Sequence, residues 1–183
     1  MKNISKTLQK IFKQFFYNLF KLIYGEINGI KSFKEDSRIE TLKSNFQDNI
    51  NYTIYKIQNG RLYTDRVQDT AIILDDNIIE GPSFQLRPVN NVEVFKNVVL
   101  RKGTPRFKKK LRGITLSLLT GGAGNDNYFH WLFDVLPRIK ICENVFDISN
   151  IDYFLLPDVQ LKYQIQTLDK LKIPYEKRLT SRK

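Results

Sequence analysis

Ile114-Thr-Leu-Ser-Leu-Leu119, followed at once by Thr120-Gly121-Gly122-Ala123-Gly124-Asn125, is the stretch that decides the fold. The apolar run reads as a strand buried on both faces. The glycine-rich loop then leads into a helix expected over about 126–145, capped by Asn125 or Asp126. The same alternation continues downstream. A strand is expected at Tyr153–Leu156, a helix near Val159–Leu171 and a last strand near Tyr175–Leu179. This β-α-β-α-β order predicts three parallel strands with Ile114–Leu119 at their centre, the first half of a doubly wound α/β sheet. Three strands are few for a complete enzyme of that class, so the chain is expected to be the N-terminal part of something longer.

Upstream the periodicity is different. From about 52 to 101 come short runs rich in β-branched and aromatic residues: Tyr52–Ile57, Arg61–Thr64, Thr70–Leu74, Ile78–Glu80, Phe84–Leu86 and Val98–Arg101. Asn59-Gly60 and Asp75-Asp76-Asn77 sit between runs and read as hairpin turns. A small antiparallel β region is therefore expected over 51–105, with the Rossmann-like half-domain over 106–183. Residues 26–50 are polar and mixed and read as a linker. Residues 1–25 read as one amphipathic basic helix. Ile4, Leu8, Ile11, Phe12, Phe15, Leu19, Leu22 and Ile23 share one face, Lys2, Lys6, Lys10, Lys13 and Lys21 the other, and Gly25 is a stop. Such a helix suits an anionic membrane interface. An ordinary helix docked on its own domain has the same pattern.

Charge narrows the class further. The net charge of +11 comes from two places: five Lys in 1–24 and seven basic residues in 101–112, neither stretch holding an acid. Without those twelve, the 30 basic residues fall to 18, against 19 acidic ones. The rest of the chain is near neutral, which argues against a broadly basic nucleic-acid binder. The basic stretch also interleaves only Phe107, where single-strand binders use several aromatics. One Cys excludes an intramolecular disulfide framework and a Cys-cluster zinc site, and one His excludes a two-His metal site. Lys10, Lys13, Asn18 and Lys21 interrupt the longest apolar segment, so it is not expected to span a bilayer. No small-residue cleavage site follows it, so no secretory signal is expected. A cytoplasmic protein is expected, with a peripheral place on the inner face of the plasma membrane.

The residues richest in chemistry lie in the helix after the glycine loop. On a helical wheel Phe129, Leu132, Phe133, Leu136 and Ile139 make a buried stripe. Asn127, His130, Asp134 and Arg138 line the opposite face. His130 and Asp134 are four apart, close enough for the carboxylate to orient the imidazole. Asp134 and Arg138 have the same spacing. Trp131 flanks this row and is placed to stack on a sugar ring. The loop, with Gly122 and Gly124, and the helix N-terminus offer N–H groups to an anion. A polar row opposite an apolar stripe is also what any solvated helix face looks like. The loop matches neither the phosphate loop of nucleotidases nor the full G-x-G-x-x-G dinucleotide fingerprint.

Asn127-Tyr-Phe-His-Trp-Leu-Phe-Asp-Val-Leu-Pro-Arg138 closely resembles the signature of glycosyltransferase family 61 proteins. That pattern runs Asn-Tyr-x-His-Trp, a few apolar residues, Asp, then Leu-Pro-Arg. Ser83-Phe-Gln85, Lys109-Lys110-Leu-Arg-Gly113, the glycine loop and Ile173-Pro-Tyr-Glu-Lys-Arg-Leu179 resemble the bacterial surface-polysaccharide branch, so the resemblance covers roughly 60–180. It implies the N-terminal half of a two-domain GT-B enzyme. It also implies inverting sugar transfer from a nucleotide-activated donor to a glycan or lipid-linked acceptor. His130 and Asp134 are then the catalytic candidates, and Asn127, Trp131, Arg138, Gly122 and Gly124 the substrate contacts. The nucleotide sugar is a substrate, so no cofactor is expected. With no Asp-x-Asp motif, no metal is expected in this half. A competing expectation is a non-catalytic module for membrane surfaces or polyanions, built from the 1–24 helix and the 101–112 stretch.

Overall fold

The computed structural model describes residues 2–46, 50–66, 69–85, 97–120, 124–157, 159 and 161–180. It is a mixed α/β fold whose parallel strands lie in the C-terminal part. Helix α1 (Lys2–Tyr24) contains no Gly or Pro and runs unbroken. Gly25, at φ 81°, ends it as expected, its N–H reaching back to the Lys21 carbonyl at 2.9 Å.

The β region is larger than the sequence pattern suggests. Residues 26–50, expected to be a linker, carry strand β1 (Gly29–Ser32) and strand β2 (Ile39–Phe46). β2 pairs antiparallel with β3 (Ile50–Ile57) over eight registered residues. A second sheet holds β4 (Arg61–Arg66), β5 (Asp69–Leu74) and β6 (Asn77–Glu80), joined by β1 on the β6 side and by β7 (Phe84–Gln85) on β5. β1 pairs with β6 in parallel, so the region is not wholly antiparallel. The polar reading of 26–50 fails because β1 and β2 are strands with much of their length exposed, where polar residues cost nothing.

The two expected turns differ in what they do. Asp75 and Asp76 have φ of 44° and 59°, and they close the β5–β6 hairpin, as two left-handed central residues do. Asn59, at φ 56°, also turns the chain, but it carries it from one sheet to the other rather than closing a hairpin. Val98–Arg101, expected as a strand, is instead the start of helix α2 (Val98–Lys102). The Asn97 side chain caps it by accepting the Val99 N–H at 3.0 Å, and Gly103 stops it at φ 62°. Local capping overrides the β preference of the two valines.

An ion network fastens the β1–β2 connection to the hairpin turn. The Asp36 carboxylate is buried and accepts from Lys31 Nζ at 3.0 Å, Arg38 Nε at 2.9 Å and Arg38 Nη2 at 2.6 Å. Arg38 also bridges to Asp75. Hydrogen bonds from Arg38, then from Lys31, hold the Asp36 carboxyl well below the usual carboxylate range. A depressed carboxyl stabilises the fold above its unfolded value of about 4, and that contribution is lost as pH falls toward the folded value. Asp36→Asn is therefore expected to lower the melting temperature at pH 7 and to lose less on acidification to pH 3 than the parent does. Parallel melting curves at pH 3 would sink this assignment.

The C-terminal unit is a three-stranded parallel sheet in the order β10-β9-β8, with β8 (Thr115–Ser117), β9 (Tyr153–Leu156) and β10 (Arg178–Thr180). Parallel pairing was expected; the position of the first strand was not. β9 is central, and β8 is an edge strand with half-buried residues. Each crossover sets the next strand beside the last, so the first strand is left at one side. Behind β8, Leu118 and Leu119 are buried, and Leu118 donates to the Leu155 carbonyl at 2.8 Å. The core holds Leu118, Trp131, Val135, Ile139, Phe154, Leu156 and Leu168. The β2–β3 ribbon leans on it through Ile54 and through an Asn144–Ser44 hydrogen bond of 3.3 Å.

Candidate functional site

The helix after the glycine loop is not uniform. Tyr128–His130 (α3) is α-helical, Trp131–Val135 is a π-helical turn, and Pro137–Glu143 (α4) is α-helical again. Pro137 explains the change. It has no N–H for the Phe133 carbonyl, and its ring would crowd that carbonyl in an α-helix. The widened turn relieves the clash, and Leu136 N–H bonds five residues back to the Trp131 carbonyl at 3.1 Å.

Around this turn the buried row is Trp131, Val135, Ile139 and Cys142. The wheel expectation is corrected accordingly, because Phe129 and Phe133 are 60% and 62% exposed. Two apolar rows flank the polar one, and only packing partners choose between them. Gly124 makes room for Val135, since a Cβ there would come within 2.5 Å of Val135 Cγ2. Thr167 supplies the acceptor that an interior indole needs: Trp131 Nε1 donates to its Oγ1 at 2.9 Å. Trp131 is 0% exposed. Neither ring face is open, so the expected sugar stacking on Trp131 does not fit this structure.

His130 and Asp134 come together as their spacing predicts. His130 Nδ1 lies 2.5 Å from Asp134 Oδ2, with the side chains 39% and 44% exposed. An ionised carboxylate only accepts, so it selects the tautomer with the proton on Nδ1 and leaves Nε2 as an acceptor. Phe129 stacks at 4.7 Å on Phe133 and meets the His130 ring edge to face at 5.7 Å. The dyad thus sits on an open face beside two exposed aromatic rings.

Arg138 has a different role from a partner for the Asp134 carboxylate. Its Nε donates to the Asp134 main-chain carbonyl and its Nη1 to the Leu119 carbonyl, both at 2.9 Å. It ties the dyad-bearing turn to the carboxyl end of β8. Burial pulls its guanidinium below the ordinary value, and Asp134 partly opposes this. Asn127 is a helix cap: its Oδ1 accepts from the N–H groups of Phe129 at 3.0 Å and His130 at 3.3 Å. Gly124 N–H, expected to face an anion, is already bonded to Thr120 Oγ1 at 3.1 Å. Gly122 lies outside the described residues.

One residue of this site escaped the sequence reading. Gln164, wholly buried in helix α5 (Lys162–Lys170), donates through Nε2 to the carbonyls of Gly124 at 3.2 Å and Asn125 at 2.7 Å. It holds the end of the glycine loop against α5. Its Oε1 also accepts the Leu161 N–H at 2.9 Å. The signal for it was there: Gln164 stands third in the helix, where a side chain reaches back over the first turn, and four before the buried Leu168.

Among the described residues no group of three or more His, Cys, Asp or Glu side chains could hold a metal ion. No described helix is long and apolar enough to cross a membrane. No family model, no curated protein and no solved structure matches the chain.

Proposed function

We propose that the chain carries the acceptor-side catalytic machinery of an inverting, nucleotide-sugar-dependent glycosyltransferase. The observation behind this reading is the His130–Asp134 contact of 2.5 Å on an open face, within a twelve-residue motif resembling that of family 61. On this reading residues 113–180 are the N-terminal Rossmann-like half of a GT-B enzyme. The π-helical turn under the dyad supports it, since such turns gather at functional sites.

The chemistry follows from the geometry. His130 Nε2 accepts the proton of the acceptor hydroxyl as its oxygen attacks the anomeric carbon. The bond from that carbon to the donor's diphosphate oxygen breaks, and the nucleoside diphosphate leaves with the electron pair. Asp134 holds the ring and stabilises the imidazolium that forms. Phe129 and Phe133 take the place assigned to Trp131 and offer apolar ring faces to the acceptor sugar.

The test is an assay of nucleoside diphosphate release from a panel of nucleotide sugars, with and without glycan acceptors. Release that depends on acceptor and is lost in Asp134→Asn is expected. Release unchanged in Asp134→Asn, or no perturbation of the His130 ring signals by any donor or acceptor, would overturn the reading.

A further inference from the structure

We propose that α1 and the basic segment 101–112 form one surface that docks on an anionic lipid bilayer. The proposal starts from how α1 is mounted. An amphipathic helix normally turns its apolar stripe inward. Here Phe20 and Tyr24, four apart and off that stripe, hold the helix to the body. Phe20 packs against Phe107 with ring centroids 5.1 Å apart, and stacks on Tyr24 at 5.7 Å. Tyr24 Oη accepts the Lys108 N–H at 3.2 Å, and Lys108 Nζ lies 4.4 Å from the Tyr24 ring centroid. The stripe itself, Leu8, Ile11, Phe12, Phe15 and Leu22, faces out, each residue between 61% and 85% exposed.

The same mounting joins the two basic features. Phe107, 82% exposed despite its contact with Phe20, stands beside the helix. Lys109, Lys110 and Arg112 follow it and are exposed, as are Lys6, Lys10 and Lys13. Neither 1–24 nor 101–112 contains an acidic residue. Apolar rings beside uncompensated cations match the acyl boundary and the headgroups of an anionic leaflet. Charge also argues against a second copy of the chain as the occupant, since two such faces would bring like charges together. A basic helix too polar to span a bilayer lies in its interface.

The experiment is co-sedimentation of the full 183-residue chain with phosphatidylcholine vesicles, with and without a phosphatidylglycerol fraction. Binding is expected only with the anionic lipid, and is expected to fall at least tenfold in about 0.5 M salt. Phe12→Ser with Phe15→Ser is expected to lower the partition coefficient roughly tenfold or more with circular dichroism unchanged. Lys109→Gln with Lys110→Gln should lower it by a similar factor, since each basic residue contributes about fivefold near an anionic surface. Equal binding to neutral vesicles, or binding indifferent to both double variants, overturns the proposal. So does concentration-dependent dimerisation that Phe12→Ser with Phe15→Ser abolishes while lipid is ignored.

Discussion

His130→Ala should lower turnover by about 10²–10⁴-fold while leaving the apparent affinity for the nucleotide sugar near its parental value. The reasoning rests on position. The imidazole is held at 2.5 Å by Asp134 and leaves Nε2 toward the open face, where it can take a proton from an acceptor but has no part in gripping a donor nucleotide. Asp134→Asn should cost less than His130→Ala, because the amide still places the ring but cannot stabilise the imidazolium. Steady-state kinetics with saturating acceptor distinguish the two roles. Near-normal turnover in His130→Ala, with Asp134→Asn inactive, would make the carboxylate the base and the imidazole an acceptor contact. The test must be read beside thermal stability, since both side chains are half exposed and their loss should hardly change the melting temperature.

Trp131→Ala carries the largest expected effect on stability, about 3–5 kcal/mol. The indole is wholly buried among Val135, Leu168 and the β9 side chains, and its loss opens a cavity on the inner side of the helix. That is a large share of the roughly 5–15 kcal/mol that holds a typical domain. Trp131→Phe should cost much less, about 1–2 kcal/mol, because it gives up the Thr167 bond and a little volume but keeps the ring. Urea unfolding followed by far-ultraviolet circular dichroism reads both, as a lower midpoint with little change in slope. As the only tryptophan, Trp131 should also emit at short wavelength in the native chain and shift to the red on unfolding. A Trp131→Ala midpoint within error of the parent would mean the residue stands at the surface after all.

These two residues also mark how far the sequence could be read. The i,i+4 spacing of His130 and Asp134 needs only helical geometry, so their meeting was legible. Which side of the helix faces the core was not. Phe129 and Phe133 outrank Trp131 and Val135 in number of apolar neighbours, and the decisive facts lie far along the chain, at Gly124 and Thr167. The same holds for Arg138, whose partner proved to be a carbonyl nineteen residues away rather than the carboxylate four residues away. Strands β8, β9 and β10 announced themselves through β-branched or leucine-rich runs between helices. Strands β1 and β2 did not, because exposed strands need no apolar alternation. Val98 and Val99 misled because a single Asn cap outweighed their strand preference.

The widened turn at Trp131–Val135 has a genealogical meaning. A π-turn is an α-helix with one residue too many, so the shortest route to it is a single-codon insertion. Each residue turns an α-helix by about 100°, which means that such an event re-phases everything on one side of it relative to the other. Here Ile139 and Cys142 keep their footing on the sheet while His130 is swung to a new azimuth. The catalytic face and the packing face of one helix then drift independently, and an exchange of side chains alone could not have uncoupled them. Removing one residue between 132 and 136 would run that history backwards, restoring an ordinary helix and turning the dyad away from the β8 end of the sheet.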